Sequence, residues 1–370
     1  MLDLLPLVGK ELAAGALLAF ALLAICGPAP LWDVPAHSEA SGRTGANGVS
    51  EVPESLGASK AFETSETAKA EHMHYDTAMV QLVADLRDYA QSKRPGFLLI
   101  GNGGTPLLLA ENGNTVDNAS RYAHSVDGIM AESVLYGWDD ERGRETPEEE
   151  RTYFERIFAM AQVQDLTALT LDYTKHARES RKAHEYAQQH GYKEYTSHSR
   201  ELDRIPLESP WGENALDIHN LHEIQNYLVL LNPSRYPTKE AYLQALCGTN
   251  YDLLILDPFY AGELLRAEDV RSLQQKQNGG RRLVVAYLSI GEAEPWRPYW
   301  NPAWETHPPA FLGEKNETWD SYRVRYWTPA WQRILYGTPT SGLDAILTAG
   351  FDGAFLDVID TYAYFQQNEP

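Results

Sequence analysis

The chain has 370 residues and a formal net charge of −21, from 31 Lys and Arg against 52 Asp and Glu. That balance argues against nucleic acid as a partner, since phosphate backbones are held by Lys- and Arg-rich surface. With 43% hydrophobic and 22% charged residues the composition is globular, and the length suits one large barrel or two smaller domains. Of the two cysteines, Cys26 and Cys247, only Cys247 falls in predicted folded sequence, so no internal disulfide is expected. No Cys/His cluster has zinc spacing. A strand–GxGxxG–helix unit, a P-loop, a GxSxG elbow and a kinase motif set are all missing from the sequence. The reading is therefore of no metal and no cofactor.

The N-terminal end differs from the rest. Residues 12–26 form an apolar run with Lys10 before it and Gly27, Pro28 and Pro30 after it. Its length is that of a signal-peptide core and short of the roughly 20 residues of a membrane span. Val34-Pro35-Ala36 offers a small-residue cleavage site, and Leu23-Ala24-Ile25-Cys26 resembles a bacterial lipobox. Residues 1–36 are read as a signal peptide or a lipoprotein or membrane anchor. Residues 37–75 are rich in Ser, Ala, Glu, Gly and Thr and poor in large apolar groups. Such a segment cannot bury enough surface to offset its ordering entropy, and it reads as a flexible linker. Subtracting both segments leaves a charge of −16 on residues 76–370.

From residue 76 on, short apolar runs alternate with helical patterns. A helix is expected over 76–93. Strands are expected at 97–101, 128–133, 168–173, 193–197, 227–231, 251–257, 283–290 and 353–358. Most of these runs are continuous, as in strands buried on both faces of a parallel sheet. Helices are expected over 147–164, 176–190, 237–247, 266–276 and 340–349. Pro147 and a Glu run suit a helix start, and Gly191 and Gly350 suit helix ends. Eight strands with intervening helices in about 295 residues predict a (β/α)8 TIM barrel in circularly permuted order, helix first and strand last. A doubly wound open sheet is the runner-up.

In a barrel the C-terminal strand ends form the mouth of the site. Here those positions hold Asn102, Glu132, Asp172, Asn232, Asp257, Glu292, Glu294 and Asp357. A carboxylate at a strand end is costly unless it is hydrogen-bonded, paired or used. Glycoside hydrolysis needs two carboxylates flanking the scissile bond, and a crowded acidic mouth supplies them together with the repulsion that raises one pKa. Six of the nine Trp lie within 296–331, a connection longer than an ordinary βα loop. Most of them are expected to build a local core over the rim, with one or two lining a groove where indole faces stack on sugar rings.

Three stretches then carry a family resemblance: "YLSIGEAEPWRPYW" (287–300), "VRYWTPAWQRILYG" (324–337) and "GFDGAFLDVIDTYAYF" (350–365). They closely resemble the glycoside hydrolases related to endo-α-1,4-polygalactosaminidase, a largely bacterial and extracellular TIM-barrel family. "VDGIMAESVLYGWDD" (126–140) looks like the family's second acidic strand. "PWGEN" (210–214) and "NYLVLLNPSRYPTKEAYLQAL" (226–246) look like its linker and first strand. The simpler family order begins with the strand at 227–231, so the resemblance implies a permuted subgroup. It also implies a catalytic pair of Asp357 and Glu132, on strands that flank the one at 97–101. Gly101-Asn102-Gly103-Gly104 stands where relatives usually carry Pro-Gln-Asn-Gly.

Together these readings predict an exported glycoside hydrolase, extracellular, periplasmic or at the cell surface, acting on an α-linked amino-sugar polysaccharide of galactosamine type. Asp357 is expected as nucleophile or base and Glu132 as acid. Glu292, Glu294, Asp172, Asp257, Asn102, Tyr173, Tyr287, Trp138, Trp296, Trp327 and Asp360 are expected to bind substrate. The expected partner is a polysaccharide or oligosaccharide, with membrane contact only through the N-terminal segment. The alternative is a carbohydrate-binding or cell-surface interaction protein on a degenerate barrel.

Overall fold

The computed structural model describes residues 73–368; the expected leader, Cys26 and nearly all of the expected linker lie outside the described residues. Helix α1 (Tyr75–Lys93) comes first. It is followed by β1 (Leu98–Asn102), α2 (Val116–Ser125), β2 (Gly128–Glu132), α3 (Glu148–Val163), β3 (Thr167–Tyr173), α4 (Ala177–His190) and β4 (Lys193–Ser197). A long connection leads to β5 (Tyr227–Leu230), α5 (Lys239–Cys247), β6 (Leu253–Leu256), the short hairpin β7 (Phe259–Tyr260) and β8 (Glu263–Leu264), α6 (Ala267–Leu273) and β9 (Leu283–Ser289). An insertion holds β10 (Glu292–Ala293), β11 (Leu312–Asn316) and β12 (Ser321–Val324). Then come α7 (Pro329–Leu335), α8 (Gly342–Ala349), β13 (Gly353–Asp357) and α9 (Thr361–Asn368).

All eight strands expected from the apolar runs are present. They form one parallel sheet in the order β4-β3-β2-β1-β13-β9-β6-β5, a nearly closed (β/α)8 barrel. The first and last strands are hydrogen-bonded neighbours, with Leu98 opposite Gly353 and Gly101 opposite Leu356. The seam falls between β4 and β5. Side chains bridge it: the Tyr195 and Tyr227 rings lie 5.9 Å apart, and the Tyr227 hydroxyl donates to the Thr170 carbonyl at 2.6 Å. The helix-first order is as expected, with α9 added after the last strand.

Parallel register keeps residues of one parity on one face. Asn102, Glu132, Tyr173, Tyr287 and Asp357 fall in phase with one another and share a face of the barrel wall, whereas Asp172 is out of phase with them. The opposite end of the barrel is held by a repeated device. Asp127, Asp252 and Asp352 each stand one residue before a strand. Each accepts a backbone N–H from the chain beside it (Leu99, Gln225 and Val284, at 2.7, 2.7 and 2.9 Å) and each meets a cation, Arg87, Lys276 or Arg281. Arg282, wholly buried at the foot of β9, donates to the carbonyls of Leu246 and Leu273 near the ends of α5 and α6, where the helix dipole favours a cation.

Three features were not legible in the pattern. Helix α2 buries mostly small residues around Tyr122, so its apolar face is faint in sequence. The Trp-rich connection after β9 is a small antiparallel sheet, β10-β12-β11, with strands of two to five largely polar residues. Hairpin β7–β8 is only two residues deep. Among the described residues no helix is long and apolar enough to cross a membrane.

Candidate active site

The mouth is built around one amide. Asn102, at the end of β1, donates through Nδ2 to Glu132 Oε1 at 3.0 Å and to Asp357 Oδ1 at 2.8 Å. The two carboxylates therefore stand on the strands either side of β1. Their bridged oxygens are no more than about 5.8 Å apart, the combined length of the two bonds, and about 5 Å apart if the two amide hydrogens point some 120° from each other. The Tyr173 hydroxyl donates to Glu132 Oε2 at 2.6 Å. The Arg200 guanidinium lies 4.3 Å from the centre of the Tyr173 ring. The Tyr287 hydroxyl, whose hydrogen bond goes to Glu294 Oε1 at 3.4 Å, and the Val358 amide lie close enough to Asp357 to favour its charged form.

The residue after each member of this trio turns left-handed: Gly103 at φ 79°, Ser133 at φ 56° and Val358 at φ 61°. For Ser and especially β-branched Val this is a strained conformation, of the kind that persists where surrounding structure over-determines it. It breaks each strand immediately after the side chain that enters the mouth. The glycines of the β1 turn have tight surroundings. A Cβ at Gly101 would come within 2.5 Å of the Tyr122 hydroxyl, and one at Gly104 within 2.4 Å of Ile359. The Pro that relatives place at this turn has no room at position 101.

Burial and then the like charge of Glu132 push Asp357 up to about 7, against the donors from Asn102, Val358 and Tyr287. Asp357 thus keeps its proton up to near neutrality. Asp360, one turn beyond Asp357, is pushed up to about 7 by burial and then by Asp357 and Glu292. Its carboxylate lies 2.9 Å from where a Cβ at Gly103 would stand. A carboxyl whose pKa is raised by folding contributes stability below its ordinary value of 3.8, and that stability is lost as pH rises through about 7. Thermal stability should therefore fall between pH 5 and pH 8, and Asp360→Asn should flatten that fall. Melting curves across the range check this, and a midpoint equal at both ends would contradict it.

The other acids at the rim are committed to structure. Asp172 lies on the other face of β3 and accepts the amides of Leu135 and Tyr136 at 2.7 and 2.8 Å, so it anchors the loop after β2 and is not brought to the pair. Glu292 accepts from Asn316 Nδ2 at 3.0 Å and from the Ser321 hydroxyl, tying β10 to the ends of β11 and β12. Glu294 and Asp257 share Arg297, at 2.6 and 2.9 Å. Trp327 packs between Tyr75 and Phe365, at 5.1 and 4.9 Å, rather than standing free over the mouth. Trp300, Trp304 and Trp331 form the rim's aromatic core with Tyr299, Phe311 and Tyr322. Trp296 and Trp319 are exposed, each at 52%, and Trp138 is half-buried in the loop after β2. Two cations escaped the sequence reading, Arg200 and Arg297. Only the second had a signal, its place inside the 287–300 motif.

Residues 249–370, about a third of the chain, match the model of glycoside-hydrolase family GH114, which includes endo-α-1,4-polygalactosaminidase. The segment holds Asp357, Asp360, Glu292, Glu294, Asp257 and Tyr287, and it contains the three C-terminal motifs; Asn102, Glu132 and Tyr173 precede it. An uncharacterised protein of Methanocaldococcus jannaschii is 32% identical over 156 residues, covering 42% of this chain and 43% of that protein. One of Deinococcus radiodurans is 37% identical over 122 residues, covering 32% and 37%. One of Thermotoga maritima is 42% identical over 84 residues, covering 22% and 25%. The matched stretches thus span less than half the length of each relative. The family match supports a glycosidase with a carbohydrate as its partner.

Proposed function

We propose that the protein is an exported glycoside hydrolase that cleaves an α-linked, galactosamine-type polysaccharide by double displacement. The observation that carries the mechanism is the Asn102 bridge, because it keeps the two bridged carboxylate oxygens within about 5.8 Å of each other. Retaining glycosidases space their pair at about 5–5.5 Å, whereas inverting enzymes need about 6.5–9.5 Å to admit a water. In the first step Asp357 attacks the anomeric carbon while Glu132 gives its proton to the departing glycosidic oxygen. In the second, Glu132 takes a proton from water, which displaces Asp357 and releases the sugar. The strand-end placement of both residues and the 350–365 motif support this division of roles. Asp360 stands beside the pair with no cation on it among the described ion pairs, and supports a substrate bearing free amines. The N-terminal apolar run supports export. The hydrogen-bonded first and last strands, with the seam at β4 and β5, support a permuted order.

Proton NMR of the first-formed reducing end tests the mechanism on a partly deacetylated α-1,4-galactosamine polymer. An α product is expected. A β product would mean that the pair opens to admit water and would overturn double displacement. The exposed Trp296 and Trp319 favour one other reading, a glycan-binding protein without turnover. Binding of the same polymer with no new reducing ends would select it.

A further inference from the structure

Each oxygen of Glu132 has its own neighbour: the Asn102 amide is 3.0 Å from Oε1, and the Tyr173 hydroxyl is 2.6 Å from Oε2. A phenol beside a carboxyl group can work in either direction, donating to an oxygen or accepting from a carboxyl O–H. The direction decides where a protonated Glu132 carries its proton. If Tyr173 accepts, the proton sits on Oε2 and points away from the pair. If Tyr173 donates, the proton falls on Oε1, the oxygen that shares Asn102 with Asp357. Arg200, three residues beyond β4, lies with its guanidinium 4.3 Å from the centre of the Tyr173 ring. Asp140, in the loop after β2, pins it at 2.5 Å, and a second nitrogen reaches to 3.5 Å from the Gly137 carbonyl. The ring is buried, and the backbone of the same loop closes on it. A Cβ at Gly137, whose φ of 114° favours glycine, would come within 3.0 Å of the ring carbon Cδ2. Ring and cation are thus held against each other. Burial and then Glu132 keep the Tyr173 hydroxyl well above its usual range, with Arg200 acting the other way, so the hydroxyl has a proton to give. A positive charge on the ring face draws electrons from the phenol oxygen, which makes the O–H a better donor and the oxygen a poorer acceptor. The acids that face Tyr173 are Glu132 from β2 and Asp357 from β13, and Arg200 is the cation.

We propose that Arg200 is a positioning residue for the proton transfer: stacked on Tyr173, it fixes that hydroxyl as the donor to Glu132 Oε2, so that Glu132 delivers its proton from Oε1. This rests on the reading of Glu132 as the acid of a double displacement. In the first step the Oε1–H bond breaks, the proton passes to the glycosidic oxygen, and the bonding pair stays on Glu132. The new charge finds a donor already in place on each oxygen, Asn102 on Oε1 and Tyr173 on Oε2. Donors set in advance where charge develops favour the transfer without reorganisation. In the second step Oε1 takes a proton from water. Without Arg200 the phenol is free to turn and accept, and the proton of Glu132 is then held on the wrong oxygen.

The test uses R200M, R200K, Y173F and the double variant R200M/Y173F on two substrates. One is the partly deacetylated α-1,4-galactosamine polymer, whose leaving group needs an acid. The other is an aryl α-galactosaminide, whose leaving group does not. On both, kcat/KM reports the first step. R200M should lower it on the polymer at least about tenfold, and on the aryl glycoside by less than about threefold. Y173F should cost as much or more on the polymer. Adding R200M to Y173F should then cost less than about threefold further, because Arg200 has no hydroxyl left to act on. R200K keeps a charge but not the flat face that stacks, and should fall between wild type and R200M; it serves if R200M does not fold. A second readout needs no turnover. The Raman doublet of Tyr173, taken as the difference between each protein and the same protein with Tyr173→Phe, separates a donating from an accepting phenol. It should show a donor in the wild type and move toward an acceptor in R200M. Equal slowing of R200M on both substrates would overturn the proposal, by making Arg200 a general support of the mouth. An R200M cost as large on Y173F as on the wild type, or an unchanged doublet, would overturn it too. If the wild type cleaves neither substrate, the functional reading fails, while the doublet still decides whether Arg200 sets the direction of the Tyr173 bond.

Discussion

Asp357→Asn is expected to lower the cleavage rate at least about 100-fold, the scale of a positioned catalytic carboxyl, while leaving the fold intact. Asn has the same shape and can still meet Asn102, so loss of activity would report the missing charge rather than lost packing. Glu132→Gln should cost as much on the polysaccharide. The two variants should part on a substrate with a good leaving group, such as an aryl α-galactosaminide. There the first step no longer needs an acid, so Glu132→Gln should form its glycosyl-enzyme readily and be rescued by azide in the second step. Asp357→Asn should stay inactive on both substrates, since it has no nucleophile. The opposite pattern would exchange the two roles, and normal cleavage by Asp357→Asn would remove it from the reaction altogether.

Lys276→Met is expected to be the most damaging change away from the mouth, at about 3–5 kcal/mol. Lys276 and Asp252 are both wholly buried and 2.9 Å apart, under the barrel floor. Lys276 Nζ also donates to Asn214 Oδ1 at 3.1 Å, linking the connection between β4 and β5 to the foot of β6. Met fills a similar volume, so the cost comes from a buried carboxylate left without its cation. It still has the Asn214 amide and the Gln225 N–H, which set the lower end of that range. Adding Asp252→Asn to Lys276→Met should recover part of the loss, because the orphaned charge disappears. Denaturant titration of the two variants checks the order, and a double variant less stable than Lys276→Met would contradict it.

Most of the strands were legible because they are continuous apolar runs, as burial on both faces of a parallel sheet requires; β4, which is largely polar and only partly buried, is the exception. The acids at the strand ends were legible for the complementary reason. A charge directly after Ala-Phe-Leu or Leu-Leu-Ile-Leu stands out against its surroundings. Which of those acids face one another was not legible from composition. Asp172 and Tyr173 are adjacent in sequence, yet one anchors a loop and the other reaches Glu132, a difference of strand phase alone. Glu294 and Asp257 looked like open mouth carboxylates until Arg297 was seen to take both. Arg297 is three residues from Glu294 but 40 from Asp257, and no local pattern carries that second contact.

The sequence by itself determined the eight strands of the barrel and the helices that end at Gly191 and Gly350, because burial on both strand faces and a glycine helix end leave a local mark. It also determined that acids would crowd one end of the barrel. Tertiary structure alone decided that Asn102 ties two of those acids into a pair, since Glu132 and Asp357 lie 225 positions apart in the chain and meet only when the last strand docks beside the first. It also decided how the net charge of −21 is spent. Buried Asp and Glu survive where an amide, hydroxyl or guanidinium offsets their lost solvation, and those partners come from strands and loops that only the closed barrel brings together.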